Sequence, residues 1–310
     1  MTRVLRSPER WVRVAGGAAA DLASILFPSD CRLCGAPFTE LASVRVCGAC
    51  LSRLGPAHQS QPENLCSRCG DTIAFESLRF AASYGVTECS ACRLAPPVFE
   101  RAVSAASYDS ELRELLHLLK FEGQRPIAEH LLGAWLAAAM LKLRPETANE
   151  VTVIPVPLFA DRERARGFNQ AHLLAQAALR QLRCETPEWQ LTLQPRALVR
   201  VKDTMAMFSL APHQRRATLR GAFRVADAEA VANREVFLID DIMTTSATAR
   251  ECARVLLRAG ATKVWVATVA RASLEGPATQ HDVARWSPSQ ARATQLVSPD
   301  PKKQARFGST

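Results

Sequence analysis

The sequence predicts an α/β protein, a mostly parallel sheet with helices on both faces, preceded by a small cysteine-rich module. Three observations predict it. Between residues 98 and 272, short apolar runs alternate with helix-length amphipathic stretches, the pattern of strands joined by crossover helices. Ahead of them, eight cysteines stand as four CxxC pairs. Finally, the run VFLID ends in adjacent carboxylates and is followed two residues later by three hydroxyl side chains, Asp240-Asp241-Ile242-Met243-Thr244-Thr245-Ser246. A strand buried only for packing needs no such ending.

Residues 1–30 carry Arg3, Arg6, Arg10 and Arg13 and then the apolar stretch GGAAADLASILFP. Asp21 interrupts that run and no clear cleavage site follows, so an amphipathic helix covering a neighbouring domain is expected. No segment approaches the length of a bilayer span, and a cytoplasmic location is expected. Residues 31–95 are rich in turns and hold all the paired cysteines. In the region 98–272, AVSAASY reads as a strand, and the helix after it carries Leu112, Leu115, Leu116 and Leu119. A long apolar helix is expected over Ile127–Lys142. VTVIPVPL reads as a buried strand ended by prolines, FNQAHLLAQAALRQL as a helix and VFLID as a strand. SATARECARVLLRAG reads as a helix closed by Gly260, and KVWVATVAR as a last strand. From residue 273 to 310 periodicity fails and a disordered tail is expected.

Composition narrows the field without naming a partner. The apolar fraction of 48% and charged fraction of 22% are those of an ordinary soluble protein. Aromatics make up 6%, so no base-stacking surface is advertised. The formal charge of +9 favours polyanions such as nucleic acid, a nucleotide or a diphosphate.

The four pairs are Cys31/Cys34, Cys47/Cys50, Cys66/Cys69 and Cys89/Cys92, separated by 12, 15 and 19 residues. Eight thiolates suffice for two tetrahedral zinc sites, and four sulfurs per ion leave no open position, so the metal would be structural. Pairing the first two CxxC turns on one ion and the last two on the other is preferred, with an interleaved arrangement left open. Redox or simply buried cysteines are the alternative, and four regular pairs argue against it. Iron–sulfur ligation fits these gaps poorly. Cys184 and Cys252 carry no expected role. The module has few lysines, so domain packing explains it at least as well as nucleic-acid binding.

In the loop after VFLID, Asp240 and Asp241 sit on rigid strand backbone where ligands of parallel sheets bind. Adjacent carboxylates repel, a cost that sugar hydroxyls or a divalent cation would offset. Hydroxyls and N–H groups at a helix start suit a phosphate. The bland alternative is a turn in which one threonine caps the helix, which leaves the paired acids unexplained.

VFLIDDIMTTSAT resembles the phosphoribosyl-diphosphate motif of type I phosphoribosyltransferases. With the four CxxC pairs, YDSELRELLHLLKFEG, VIPVPLFADRERARGFNQA and KDTMAMFSLAPHQRRATLRGAF, the chain resembles the competence protein ComF (GntX-like) family over roughly residues 25 to 272. The resemblance implies a type I phosphoribosyltransferase-like sheet behind a double zinc ribbon. It also implies a pentosyl-transferring glycosyltransferase that takes phosphoribosyl diphosphate, or a related nucleotide, with magnesium. Asp240 and Asp241 would hold the ribose 2- and 3-hydroxyls. Thr244, Thr245, Ser246, Ala247 and Thr248 would hold the 5-phosphate. Pro155–Arg162 would lie near the diphosphate, with an unusual backbone geometry exposing N–H groups. Arg162, Arg164 and Arg166, with Gly167–Gln170, form an RGFNQ-type segment. Arg162, Arg166 and Lys202 join the two aspartates as expected catalytic residues. The segment from Lys202 to Phe223 resembles one that covers the active site, and Arg196–Arg224 carries seven basic residues and one acidic.

Three positions depart from the family pattern. Ser246 stands where glycine is usual, Met207 where glutamine is, and Thr218 where asparagine is. The family's association with DNA uptake also implies a non-catalytic alternative: an accessory protein binding single-stranded DNA or a protein of the competence machinery.

Overall fold

The computed structural model of the protein describes residues 29–38, 44–54, 64–73, 87–204 and 218–273. The chain divides into two units, Met1–Gly276 and Pro277–Thr310, and every described residue belongs to the first. The second unit lies outside the described residues, as do residues 1–28 of the expected N-terminal helix, all but the first residue of the expected disordered tail, and Met207; the last two residues of that expected helix, Ser29 and Asp30, form a strand instead.

Five strands form the parallel sheet: β3 (Arg101–Ser107), β4 (Glu150–Pro155), β5 (Gln190–Leu193), β8 (Glu235–Met243) and β9 (Lys263–Arg271). Their order is β3-β9-β8-β4-β5, with all four neighbouring pairs parallel. Two short antiparallel ribbons complete the strands, β1 (Ser29–Asp30) with β2 (Pro37–Phe38), and β6 (Leu198–Arg200) with β7 (Phe223–Val225). The helices are α1 (Gly48–Arg53), α2 (Ser90–Leu94), α3 (Ser110–Phe121), α5 (Ala160–Arg166), α6 (Gln170–Glu185) and α7 (Ala247–Arg258). Between α3 and α5, α4 runs through Arg125–Ile127, a π-turn at Ala128–Leu132 and Gly133–Leu141.

Alternation along the strands divides the core in two. Phe237 and Ile239 of β8 face a cluster with Leu115 and Leu119 of α3, Leu136 of α4 and Leu174 of α6. Val236 and Leu238 face the opposite cluster, with Cys252, Ala253 and Leu256 of α7. Both faces are therefore covered, which is why the strands read as continuous apolar runs. The cysteines split the same way: Cys31 and Cys50 pack into the first cluster, and Cys66, Cys69, Cys89 and Cys92 into the second.

Strand order locates a cleft. After β4 the chain moves outward to β5, and after β8 it moves the other way to β9, so the direction of winding reverses between β4 and β8. Ligand crevices of parallel sheets open at the carboxyl ends of strands at such a point. Register opens it further. Pro155, the last residue of β4, pairs with Ile239, whereas β8 continues to Met243 alongside β9. Asp240 and Asp241 thus emerge just where one neighbouring strand has ended.

The expected strands and helices are present, and the differences have local causes. VTVIPVPL pairs only over Glu150–Pro155. The long apolar helix runs from Arg125 to Leu141, interrupted by the π-turn. Gly133 is required there, because a Cβ would lie 2.3 Å from that of Ala177 on α6. Not foreseen were β5, with one buried residue, and α5, with none; neither offers a periodic apolar face to read. The expected unusual backbone in Pro155–Arg162 is not found: this stretch contains no cis peptide and no residue with positive φ.

Candidate functional site

The eight paired cysteines assemble as two sequential groups, Cys31/Cys34/Cys47/Cys50 and Cys66/Cys69/Cys89/Cys92, with the four sulfurs of each within 4.8 Å of one another. A tetrahedron with metal–sulfur bonds of about 2.3 Å has edges of about 3.8 Å. Cys34 and Cys47 Sγ are 3.8 Å apart, and Cys69 and Cys89 Sγ 3.7 Å. Backbone N–H groups donate to sulfur in matching places, Cys47 to Cys31 at 3.3 Å and Cys89 to Cys66 at 3.2 Å. These donors stabilise thiolate. Despite burial, the N–H groups of Cys47, Cys34 and Leu33 bring the Cys31 thiol down to about 6. Burial pushes Cys50 up to about 12, although Arg53 donates to its sulfur at 3.3 Å. Each group has the donors and dimensions to hold a zinc ion, with no coordination position left for chemistry.

The groups differ in setting. In the first, Cys34 is exposed and Cys47 half-buried; in the second, all four are buried. The second knuckle is pressed against the sheet. Ala102 of β3 donates its N–H to the Arg68 carbonyl at 2.8 Å, and a Cβ on Gly70, whose φ is +65°, would lie 3.1 Å from the Ala102 oxygen.

At the cleft, alternation sends the two aspartates to opposite faces. Asp241 follows Ile239 toward α3, where it forms an ion pair with Lys120, both side chains largely buried. Asp240 points toward α7 and accepts the N–H of Asp241 at 2.8 Å. Their acidities separate accordingly. Burial, then the neighbouring Asp241 charge, raises Asp240 well above the usual carboxylate range. Burial opposes ionisation of Asp241 too, but the Lys120 ammonium and its hydrogen bond outweigh it and hold Asp241 below that range. The pair therefore favours one proton, on Asp240, with Asp241 charged. Such a pair can give a hydrogen bond and accept one from neighbouring hydroxyls.

Arginines ring this pair. Arg166 feels the Asp241 charge, donates to Gln170 at 2.6 Å and lies 5.5 Å over Phe121. Arg162 is bound to Asp203 at 2.8 Å, and half-buried Arg200 lies within electrostatic range of Asp240 and Arg162. Lys202 instead donates to the Arg220 carbonyl at 3.2 Å, and among the described residues no contact links it to the aspartates. Arg164 is exposed and pairs with Asp161. The RGFNQ segment is largely architectural. Gly167 ends α5 at φ 79°, Phe168 is buried 5.0 Å beneath Arg125, and Asn169 caps α6 while donating to the Val156 carbonyl at 3.0 Å.

The loop after β8 runs Thr244 exposed, Thr245 half-buried and Ser246 buried into α7. Ser246 is the N-cap, yet no side chain caps this helix, so capping does not account for the hydroxyls. Ser246 occupies the left-handed region at φ 57°, a conformation glycine takes freely and other residues take at a cost. Its hydroxyl donates to the Thr245 carbonyl at 2.6 Å and accepts from Arg250 Nε at 3.0 Å. The side chain in the glycine position is thus engaged with the scaffold.

The basic stretch forms a hairpin stem. Its ends pair as β6 and β7, Phe223 and Leu219 are buried against α7, and Glu251 accepts the Gly221 N–H at 2.7 Å. Residues 205–217 lie outside the described residues, and Thr218 is exposed.

Lys120 was missed as a site residue in the sequence. Its signal was available: it continues the Leu112, Leu116 ridge at i+4 spacing, so a cation falls on the buried side of a leucine helix.

These features define an α/β protein with a parallel sheet, an acidic-hydroxyl loop at its winding reversal, and a four-cysteine group on either face. No family model matches the chain. It is 33% identical over 241 residues to DNA utilization protein YhgH of Escherichia coli O157:H7, covering 77% of this chain and 95% of that protein. It is 30% identical over 212 residues to competence protein F of Haemophilus influenzae, covering 67% and 84%. The chain belongs to the competence protein F (ComF) family. Among solved structures, a hypoxanthine phosphoribosyltransferase from Staphylococcus aureus is 12% identical over 47% of this chain and 62% of that one. Its TM-score is 0.26, a likeness that carries no argument. Among the described residues no helix is long and apolar enough to cross a membrane.

Proposed function

We propose that the cleft binds phosphoribosyl diphosphate and transfers its phosphoribosyl group to an acceptor. The observation that carries this reading is the split dyad. Asp240 and Asp241 emerge beyond the end of β4, on opposite faces of β8 and with acidities shifted in opposite directions, immediately before a helix start with no side-chain cap. Adjacent hydroxyls of a ribose can each donate to one of two such carboxyl groups, and a 5-phosphate is suited by free N–H groups one loop away. Thr244, Thr245, Ser246, Ala247 and Thr248 supply that cradle, chiefly through backbone. The residues of 98–272 form the transfer domain, and 31–95 the zinc-binding module.

In the reaction, an acceptor lone pair attacks C1 of the ribose, and the bond from C1 to the diphosphate oxygen breaks with its electron pair leaving on diphosphate. Magnesium entering with the substrate, with Asp240 and Asp241 the carboxylates placed to hold it, would supply neutralisation of the diphosphate charge. Arg162 and Arg166 line the approach to the dyad, and Arg200 adds positive charge opposite Asp240. Lys202 follows β6 in the basic stretch 196–224, whose positive charge suits a diphosphate. Calorimetric titration with phosphoribosyl diphosphate and magnesium tests the reading. Micromolar binding that disappears in D240A/D241A supports it, and no binding by folded wild type removes it.

A second reading has its own support. The relatives' names connect them with DNA utilization and competence, and the 196–224 stretch is strongly basic. Single-stranded DNA on that hairpin, or a protein of the competence machinery, would make this an accessory protein. Binding whose logarithm falls linearly with the logarithm of salt, and which survives D240A/D241A, would favour it.

A further inference from the structure

The second cysteine group and the candidate phosphate loop are tied together by two arginines. Arg250, in the first turn of α7, donates from Nε to Ser246 Oγ at 3.0 Å, from Nη1 to the Ala95 carbonyl at 2.6 Å and from Nη2 toward Cys92 Sγ at 3.9 Å. Arg271, at the end of β9, donates from Nη1 to the carbonyls of Met243, at 3.0 Å, and Thr244. Its Nη2 reaches Asp71 at 2.8 Å and Cys69 Sγ at 3.8 Å. One planar fork thus spans from the thiolate group to each end of the loop: Met243–Thr244 at its start, Ser246 at the helix entrance. The first group has a comparable contact, Arg53 to Cys50, but that arginine reaches no part of the loop among the described residues.

The chemistry of the four-cysteine group makes this more than packing. Four thiolates around a divalent cation carry a net charge of −2, and the buried Arg271 and half-buried Arg250 guanidiniums answer it. If the metal leaves, the four sulfurs are no longer held at one point, Cys92 and Cys69 are free to move away from the two forks, and the hold on the loop loosens. The loop is where this matters, because Ser246 is kept in a left-handed conformation that its own side chain does not favour.

We propose that Arg250 and Arg271 are positioning residues that make the metal at Cys66/Cys69/Cys89/Cys92 a support of the 244–248 loop, so that metal loss there weakens binding of a phosphorylated ligand. The ligand part rests on the phosphoribosyl reading above; the support of the loop does not. By reciprocity, a ligand held by the loop must raise the metal affinity of this group and not of the first.

The test uses the full chain with two variants, Arg250→Met and the matched control Arg53→Met, and with Arg250→Lys as the conservative replacement. Amide hydrogen exchange at residues 244–249 is measured first, with zinc content and global unfolding followed in parallel. Arg250→Met should accelerate exchange in that loop on the order of 10-fold while zinc is retained, as should chelation of the second site in wild type. Arg53→Met should leave it unchanged, and Arg250→Lys should restore part of the protection. Unchanged exchange in Arg250→Met, or equal acceleration throughout the sheet, overturns the proposal. Phosphoribosyl diphosphate with magnesium is then titrated. If wild type binds, Arg250→Met should bind about 10-fold more weakly; equal affinity overturns the link to ligand. If wild type does not bind, the phosphoribosyl reading fails, and the exchange result alone decides whether the metal supports the loop.

Discussion

The two faces of the sheet are built from the same parts to opposite effect. Each covers a parallel core, each carries a four-cysteine group, and each receives one aspartate from β8. On the α3 face the cysteine group is partly exposed and the aspartate is charged, held by Lys120. On the α7 face the group is buried, the aspartate favours its proton, and arginines bind the sulfurs to the loop. The difference teaches that adjacency in sequence does not mean equivalence. A strand sends neighbours to opposite sides, and two identical carboxylates acquire different chemistry from what awaits them there.

Cysteine replacement should break the comparison most sharply. A structural zinc site in small modules is worth about 10–16 kcal/mol, as much as the whole stability of a typical domain. Cys92→Ser, in the buried group, should lose its metal and much stability, with a far lower yield of soluble folded protein. Cys34→Ser, at the exposed corner, should leave the sheet intact with weaker metal retention, as read by circular dichroism and zinc content.

Next is Lys120→Ala, which strands the Asp241 charge in a largely buried site. A loss of about 3–5 kcal/mol is expected in chemical denaturation. Lys120→Ala/Asp241→Asn together should recover much of it.

The aspartates themselves should respond to pH with opposite sign. Asp241 is held low, so its stabilisation is present above the ordinary carboxylate value and is lost as pH falls through its depressed value. Asp240 is raised, so it takes up a proton on folding, and its contribution weakens stability as pH climbs from the ordinary value through the raised one. Denaturation series from acid to neutral pH should show Asp240→Asn gaining on wild type as pH rises, and Asp241→Asn falling behind. Parallel profiles would mean that the faces do not divide the pair.

The smallest effect concerns Ser246→Gly. Relief of the left-handed conformation is worth about 1 kcal/mol, and losing the bond from Arg250 costs a similar amount. Stability should move by less than about 1 kcal/mol, while exchange at the loop amides quickens.

Much of this arrangement was legible in the residues. Apolar runs alternating with helices gave the parallel sheet, CxxC spacing gave two metal-sized groups, and the acid pair marked its strand end. Sequential pairing became definite only when knuckle turns brought the sulfurs together. The hairpin β6–β7 was hidden because its pairing residues are separated by more than twenty others, so no short window holds both strands. Arg250 and Arg271 were hidden for a related reason. Each looks like an ordinary basic residue at a helix start or strand end, and its partners Cys92 and Cys69 lie 158 and 202 residues away.

The place of β3 in the sheet bears on how the chain is made. β3 is the first strand of the sheet to be synthesised, and in the sheet it pairs only with β9, the last; Ser104 and Thr268, which share a hydrogen bond, are 164 residues apart. At elongation rates of about 5–20 residues per second that interval is roughly 8–33 s, during which an apolar strand edge waits without its mate. The Arg68 carbonyl already answers the Ala102 N–H at the start of that strand. A knuckle closed around its ion would therefore hold the outer edge of that strand before β9 arrives, leaving one edge exposed instead of two, and zinc starvation should show first as aggregated nascent chains.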